Sequence, residues 1–150
     1  MKRMQERLHS AQPILIVEDS DDDFEATQRA FDRANLINPI AHVRCGEDAL
    51  IYLREPHASR PGLVLLDLNM PGLDGRKTLQ LIKADAGLRD IPVVILTTSS
   101  DERDIRDCYA AGANTYIQKP VDLDGLFGAI RRLKEYWFEI ALLPKDASHG

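Results

Sequence analysis

Four short apolar runs in this chain each end in a side chain suited to phosphoryl chemistry. Glu18 and Asp19 follow the run that ends at Val17, and Asp67 follows Leu66; Thr97 closes a run ending at Leu96, and Lys119 comes just after Gln118. Carboxylates brought within a few ångströms repel one another and raise one another's pKa, so a cluster of Glu18, Asp19 and Asp67 calls for a cation. With oxygen ligands only and no Cys or His beside them, the fitting ion is Mg²⁺, which keeps several waters and binds through one or two carboxylates plus phosphate oxygens. One carboxylate can then act as nucleophile toward phosphorus and give an aspartyl phosphate. The Thr97 hydroxyl is a donor for that chemistry, and the Lys119 ammonium can pair with a phosphoryl oxygen. Pro120 follows Lys119, and an X–Pro bond in a tight loop can be cis, which would aim the lysine inward.

These residues meet only if the runs form one sheet. Pro13 to Val17, Ile40 to Arg44, Leu63 to Leu66, Pro92 to Leu96 and Thr115 to Gln118 read as five strands, several of them continuously apolar. Strands buried on both faces look like that, as in a parallel sheet covered by helices. Helical patterns lie between and after them, near 20–35, 47–55, 75–84, 101–111 and 123–136, so a βα unit recurs five times. The expected fold is α/β, a doubly wound five-stranded parallel sheet in the order 2-1-3-4-5. That order makes the first and third strands neighbours, and their carboxyl ends flank the switch point where ligands gather. Ser99 is expected to cap the fourth helix with Glu102 as its capping-box partner, Gly112 to end that helix, and Asp122 to cap the fifth.

Composition sets the bounds. The chain has 150 residues and a formal net charge of -5, from 19 Lys plus Arg against 24 Asp plus Glu, which argues against a nucleic-acid partner. Cys45 and Cys108 form no CxxC pair and read as thiols of a reducing compartment. His9, His42, His57 and His149 match no metal spacing and read as solvated or surface residues. Met1 to Gln12 has no apolar run for a signal peptide, and no segment approaches membrane-spanning length, so the protein is expected to be cytoplasmic with no membrane partner.

The stretches ILIVEDSDDD, LVLLDLNMPGLDG, VVILTTS and YIQKP resemble the receiver domains of bacterial two-component systems, of the chemotaxis-regulator type. The resemblance runs from about Ile14 to Lys134. It implies that Asp67 is the phosphoacceptor, that Glu18 and Asp19 are the acidic pair, and that Asn69 lends a backbone carbonyl to the metal. It also implies that Thr97 is the switch hydroxyl, Tyr116 a rotating aromatic, and Lys119 the lysine that reads the phosphate. Glu18 stands where Asp is commoner and is expected to reach the metal through water. The Met70-Pro71-Gly72 segment would turn back over the acceptor. Domain boundaries follow: residues 1–12 as a flexible arm, 13–135 as the receiver domain, and 136–150 as an extension, with no output domain.

The phosphodonor is then a sensor histidine kinase, and an unknown downstream protein reads the face of the fourth helix, fifth strand and fifth helix. NPIAHVRCGEDALIYL and EYWFEIALLP resemble the single-domain regulators paired with bacterial phytochromes, so that kinase is expected to be a bacteriophytochrome. Chemotaxis and phosphorelay receivers are the alternatives. A haloacid-dehalogenase-like phosphatase also uses a strand-end Asp with Mg²⁺, but carries a second acid two residues on, where this chain has Asn69. A pseudo-receiver would lack one of the four chemical positions, and all four are filled. Leu126, Ile130, Leu133 and Trp137 form one helical stripe that can lie on the sheet, while Phe138, Leu142 and Leu143 are left over. The extension, with Trp137, Phe138 and Leu142 as interface residues, is therefore expected to join two copies in a homodimer.

Overall fold

The computed structural model describes residues 12–56 and 59–140, the side chains of 138–140 excepted. Five parallel strands, β1 (Ile14–Val17), β2 (Ile40–Val43), β3 (Leu63–Leu66), β4 (Val93–Thr97) and β5 (Thr115–Gln118), form one sheet in the order β2-β1-β3-β4-β5. Helices α1 (Asp21–Arg33), α2 (Gly46–Arg54), α3 (Gly75–Ala84), α4 (Glu102–Ala111) and α5 (Leu123–Lys134) follow the strands in turn. Every residue of the three inner strands is buried, whereas β2 and β5 at the edges are half-buried, which explains the continuous apolar runs.

The period of two along each strand sorts the core into two layers. Leu15, Val17, Val64, Leu66, Val93 and Ile95 point to the side covered by α2, α3 and α4, where Leu50, Leu79, Ile82 and Cys108 meet them. Ile14, Ile16, Leu63, Leu65, Val94 and Leu96 point to the side covered by α1 and α5, against Ala30, Phe31, Leu126 and Ile130. The stripe on α5 continues as expected through Leu133 to Trp137, carried past Lys134 by a wider π turn, Glu135–Ile140. Trp137 is 7% exposed and belongs to this layer, so its ring is committed to its own domain and is not a free interface residue. The offset of four from Leu133 puts it on the same face. The expectations for residues 1–11, for Phe138, Leu142 and Leu143, and for His9, His57 and His149 lie outside what the structure describes.

Strand edges differ from the sequence reading where prolines stand. Pro13 and Pro92 lie outside the ladders because they lack an N–H, yet their carbonyls accept from Gly62 and Val64 at 3.0 and 2.9 Å. Helix α4 starts at Glu102 with Asp101 as its cap, accepting from the Arg103 N–H, and Ser99 does not cap it. The Ser99 hydroxyl is engaged elsewhere, donating to Asp104 at 2.8 Å. Gly112 ends α4 at φ 109° and Asp122 caps α5, both as read from the sequence. Both cysteines are free thiols. Among the described residues no helix is long and apolar enough to cross a membrane.

Candidate functional site

The carboxyl ends of β1 and β3 lie side by side, Val17 in register with Leu66, so Glu18, Asp19 and Asp67 emerge together. Each offers a carboxylate oxygen, and the three oxygens lie within 4.8 Å of one another. Glu18 and Asp67 are 5% and 8% exposed, so little water screens their charge. Burial pushes the Glu18 carboxyl above its ordinary range, although a hydrogen bond from Lys119 pulls the other way. Hard oxygen donors at this spacing, with more negative charge than one lysine offsets, fit a small divalent cation.

Lys119 reaches this cluster from the end of β5. Its ammonium is 2.7 Å from Glu18 Oε1, 3.0 Å from Asp23 Oδ2 and 3.6 Å from Asp67 Oδ2. Burial alone would favour the neutral amine, but the bond to Glu18 and the charges of Asp67 and Glu18 outweigh it, so Lys119 is held above its ordinary range. No peptide bond among the described residues is cis, so the Lys119–Pro120 bond is trans and does not supply the inward turn that the sequence suggested. The Lys119 N–H instead donates to the Thr97 carbonyl at 2.6 Å, and the carboxylates draw the side chain in.

Thr97 is fully buried at the end of β4, and its Oγ1 accepts from Asn69 Nδ2 and from the Ser99 N–H, both at 3.4 Å. The Asn69 N–H donates to Asp67 Oδ1 at 3.2 Å, so Asn69 bridges the acidic cluster and the hydroxyl. The half-buried Tyr116 donates its hydroxyl to the Ser99 carbonyl at 2.9 Å. Asp67 also needs room beneath it: a Cβ on Gly75 would lie 2.2 Å from the Asp67 carbonyl oxygen and 2.6 Å from Leu68 Cα. Only glycine lets the first turn of α3 come this close.

The family model of the response regulator receiver domain matches residues 14–131. The chain belongs to the response regulator receiver family. Its five-stranded parallel sheet in the order 2-1-3-4-5 is the fold of that family. The probable methanogenesis regulatory protein FilR2 of Methanothrix harundinacea is 41% identical over 83% of this chain and 82% of its own length. The response regulator Rcp1 of Synechocystis is 36% identical over 87% and 92%. The crystal structure of the phosphorylated cyanobacterial phytochrome response regulator RcpA superposes with a TM-score of 0.85 at 40% identity, over 90% of this chain and 99% of that one. Rcp1 in its Mn²⁺-bound form superposes with a TM-score of 0.82.

Several groups in this receiver were not anticipated. Asp23, the third residue of α1, accepts from Lys119 at 3.0 Å. Its signal lies in capping geometry: Ser20 caps α1 and binds the Asp23 N–H at 3.2 Å, which brings the third helical residue back toward the strand end. His42 is not a solvated loop residue; it lies on β2, stacks on Phe24 at 3.7 Å, and its Nε2 is 2.8 Å from the Glu18 carbonyl. Arg76 on α3 makes a two-pronged ion pair with Asp104 on α4, both bonds 2.8 Å.

The Arg76 guanidinium and the Ser99 hydroxyl hold the Asp104 carboxyl below its ordinary range. A carboxylate whose folded pKa is depressed stabilises the fold above its unfolded pKa, and that contribution disappears as pH falls through the folded value. Urea midpoints measured from neutral pH down to about pH 3 are therefore expected to fall more steeply in the wild type than in Asp104→Asn below roughly pH 4. The effect is small because both partners retain contact with water. Parallel curves for the two proteins would remove the ion pair from the acid response.

Proposed function

We propose that this receiver is a single-domain response regulator that takes a phosphoryl group onto Asp67 from the phosphohistidine of a sensor histidine kinase. The observation that carries the reading is the meeting of Glu18, Asp19 and Asp67 within 4.8 Å, with Lys119 touching the same cluster. A carboxylate oxygen of Asp67 attacks phosphorus, the P–N bond breaks, and its electron pair returns to the imidazole nitrogen. A Mg²⁺ ion held by Glu18, Asp19, Asp67 and the Asn69 carbonyl would neutralise the transferring oxygens. Transfer of label from acetyl phosphate or from a phosphorylated kinase tests this assignment.

The bonds around Ser99 support a route from Asp67 to the outer face. Thr97, drawn toward a new phosphoryl oxygen, pulls on the Ser99 N–H; Ser99 in turn holds the Tyr116 hydroxyl through its carbonyl and Asp104 of α4 through its own hydroxyl. Movement of Ser99, together with the end of β5 that the Lys119 N–H ties to the Thr97 carbonyl, thus loosens both the aromatic and the helix, which biases the α4, β5 and α5 face that a downstream protein would read. The likeness to RcpA and Rcp1 supports a phytochrome-type kinase as donor, and so a cytoplasmic light-signalling role.

The segment past Lys134 supports a homodimer. Tyr136 is 52% exposed beside the buried Trp137, and the apolar Phe138, Ile140, Leu142 and Leu143 follow it in sequence. Light scattering is expected to find the full chain dimeric at micromolar concentration and a version ending at Glu135 largely monomeric. A monomeric full chain, or a truncated version as dimeric as the full chain, would remove the extension from the interface. Because the truncation also removes the buried Trp137, a urea midpoint must show that it still folds.

A further inference from the structure

We infer that Asp23 is a positioning residue for Lys119, competing with the phosphoryl group for its ammonium and so restraining phosphorylation of Asp67. The inference rests on the receiver reading and concerns a residue outside the acceptor, the acidic pair, the switch hydroxyl and the lysine.

An ammonium has three donors and no acceptor. In this structure its two short contacts go to Glu18 at 2.7 Å and Asp23 at 3.0 Å, whereas Asp67 is 3.6 Å away. The lysine is therefore held toward the start of α1 and short of hydrogen-bonding distance from the acceptor. One donor remains, but the nitrogen that carries it is drawn toward Glu18 and Asp23, and a move toward an oxygen of a phosphoryl group on Asp67 lengthens one of the short contacts. Glu18 is the less mobile of the two, because its side chain is 6% exposed and its other oxygen accepts from the Ser20 N–H at 3.1 Å. The Asp23 side chain is 48% exposed and can return to water.

Asp23 is also held ready to recapture the lysine. The Asp23 N–H is bound by Ser20 Oγ at 3.2 Å and its carbonyl accepts from Thr27 Oγ1 at 3.0 Å, so the backbone that carries the carboxylate is fixed. An acid at the third helical position is favoured by the dipole of α1, whatever happens to Lys119. The geometry therefore gives two alternative partners to one cation, a fixed carboxylate on α1 and a transient phosphoryl group on Asp67.

Replacing Asp23 by Asn keeps the shape and removes the charge. The rate of labelling by acetyl phosphate in Mg²⁺ is expected to rise roughly fivefold in Asp23→Asn, the upper range for a pair with one half-exposed partner. Asp23→Glu, which keeps the charge, is expected to stay near the wild-type rate. A merely electrostatic or structural effect is separated by a double-mutant cycle. In a Lys119→Ala background there is no ammonium to compete for, so adding Asp23→Asn is expected to raise the residual rate less than about twofold. Urea midpoints establish that each variant folds. No gain in Asp23→Asn, or the same gain with and without Lys119, overturns the proposal. Failure of the receiver reading itself would look different, because label would then persist in Asp67→Asn.

Discussion

Asp67→Asn is expected to take up no label from acetyl phosphate or a cognate kinase, and the wild type to lose its label when Mg²⁺ is chelated. The carboxamide is no nucleophile toward phosphorus, and Glu18 is not placed to substitute for it. Glu18 is held by the Ser20 N–H at 3.1 Å and by Lys119 at 2.7 Å, so both of its oxygens are already engaged. Metal dependence follows from charge. Glu18, Asp19, Asp23 and Asp67 outnumber the single ammonium of Lys119 among them, and an incoming phosphoryl donor brings more negative charge into a site with little water. Intact-protein mass spectrometry after incubation with acetyl phosphate, with and without chelator, reads both effects. Label that survives in Asp67→Asn would move the acceptor to another residue, and label that forms at an undiminished rate without divalent ions would remove the metal from the chemistry.

How far this site could be read from sequence depended on whether a residue's position was set by its strand or by its neighbours in space. Strand ends are legible: continuous apolar runs mark β1, β3 and β4, and a parallel order that brings β1 beside β3 puts Glu18, Asp19 and Asp67 together without reference to any side-chain rotamer. The two faces of the sheet are legible for the same reason, since alternation assigns Leu15 to one layer and Ile16 to the other. Ser99 shows where this fails. Its spacing to Glu102 fits a capping box, but the structure gives the cap to Asp101 because the Ser99 hydroxyl finds Asp104 instead, and Asp104 is there because Arg76 holds it from another helix. Those partners are 28 residues apart in sequence, and nothing local signals the pairing. Asp23 failed differently. A net count of acids sees only repulsion, whereas the turn set by Ser20 points one of those acids at the Lys119 ammonium.

Lys119→Ala is expected to label roughly a hundredfold more slowly, the cost of one donor to a developing charge, and to show no conformational response to the label that does form. The Lys119 side chain is 10% exposed and stands between Glu18, Asp23 and Asp67. Removing it strands Glu18 in a buried position, so that carboxyl shifts still further upward and takes a proton over a wider pH range. Slower labelling follows from the loss of a cation that pairs with a phosphoryl oxygen. The lost response follows from connectivity. The Lys119 N–H is bound to the Thr97 carbonyl at 2.6 Å, so the loop after β5 and the end of β4 move as one piece, and the ammonium is the arm by which that piece senses Asp67. Without it, the Thr97 hydroxyl can still turn toward the phosphoryl group, but nothing draws the joined ends of β4 and β5 toward Asp67, and Tyr116 stays on the Ser99 carbonyl. Amide hydrogen exchange in α4 and β5, compared at equal degrees of labelling in the two proteins, measures this directly. A change of wild-type size in Lys119→Ala would show that Thr97 alone carries the signal to the α4, β5 and α5 face and would remove Lys119 from the switch.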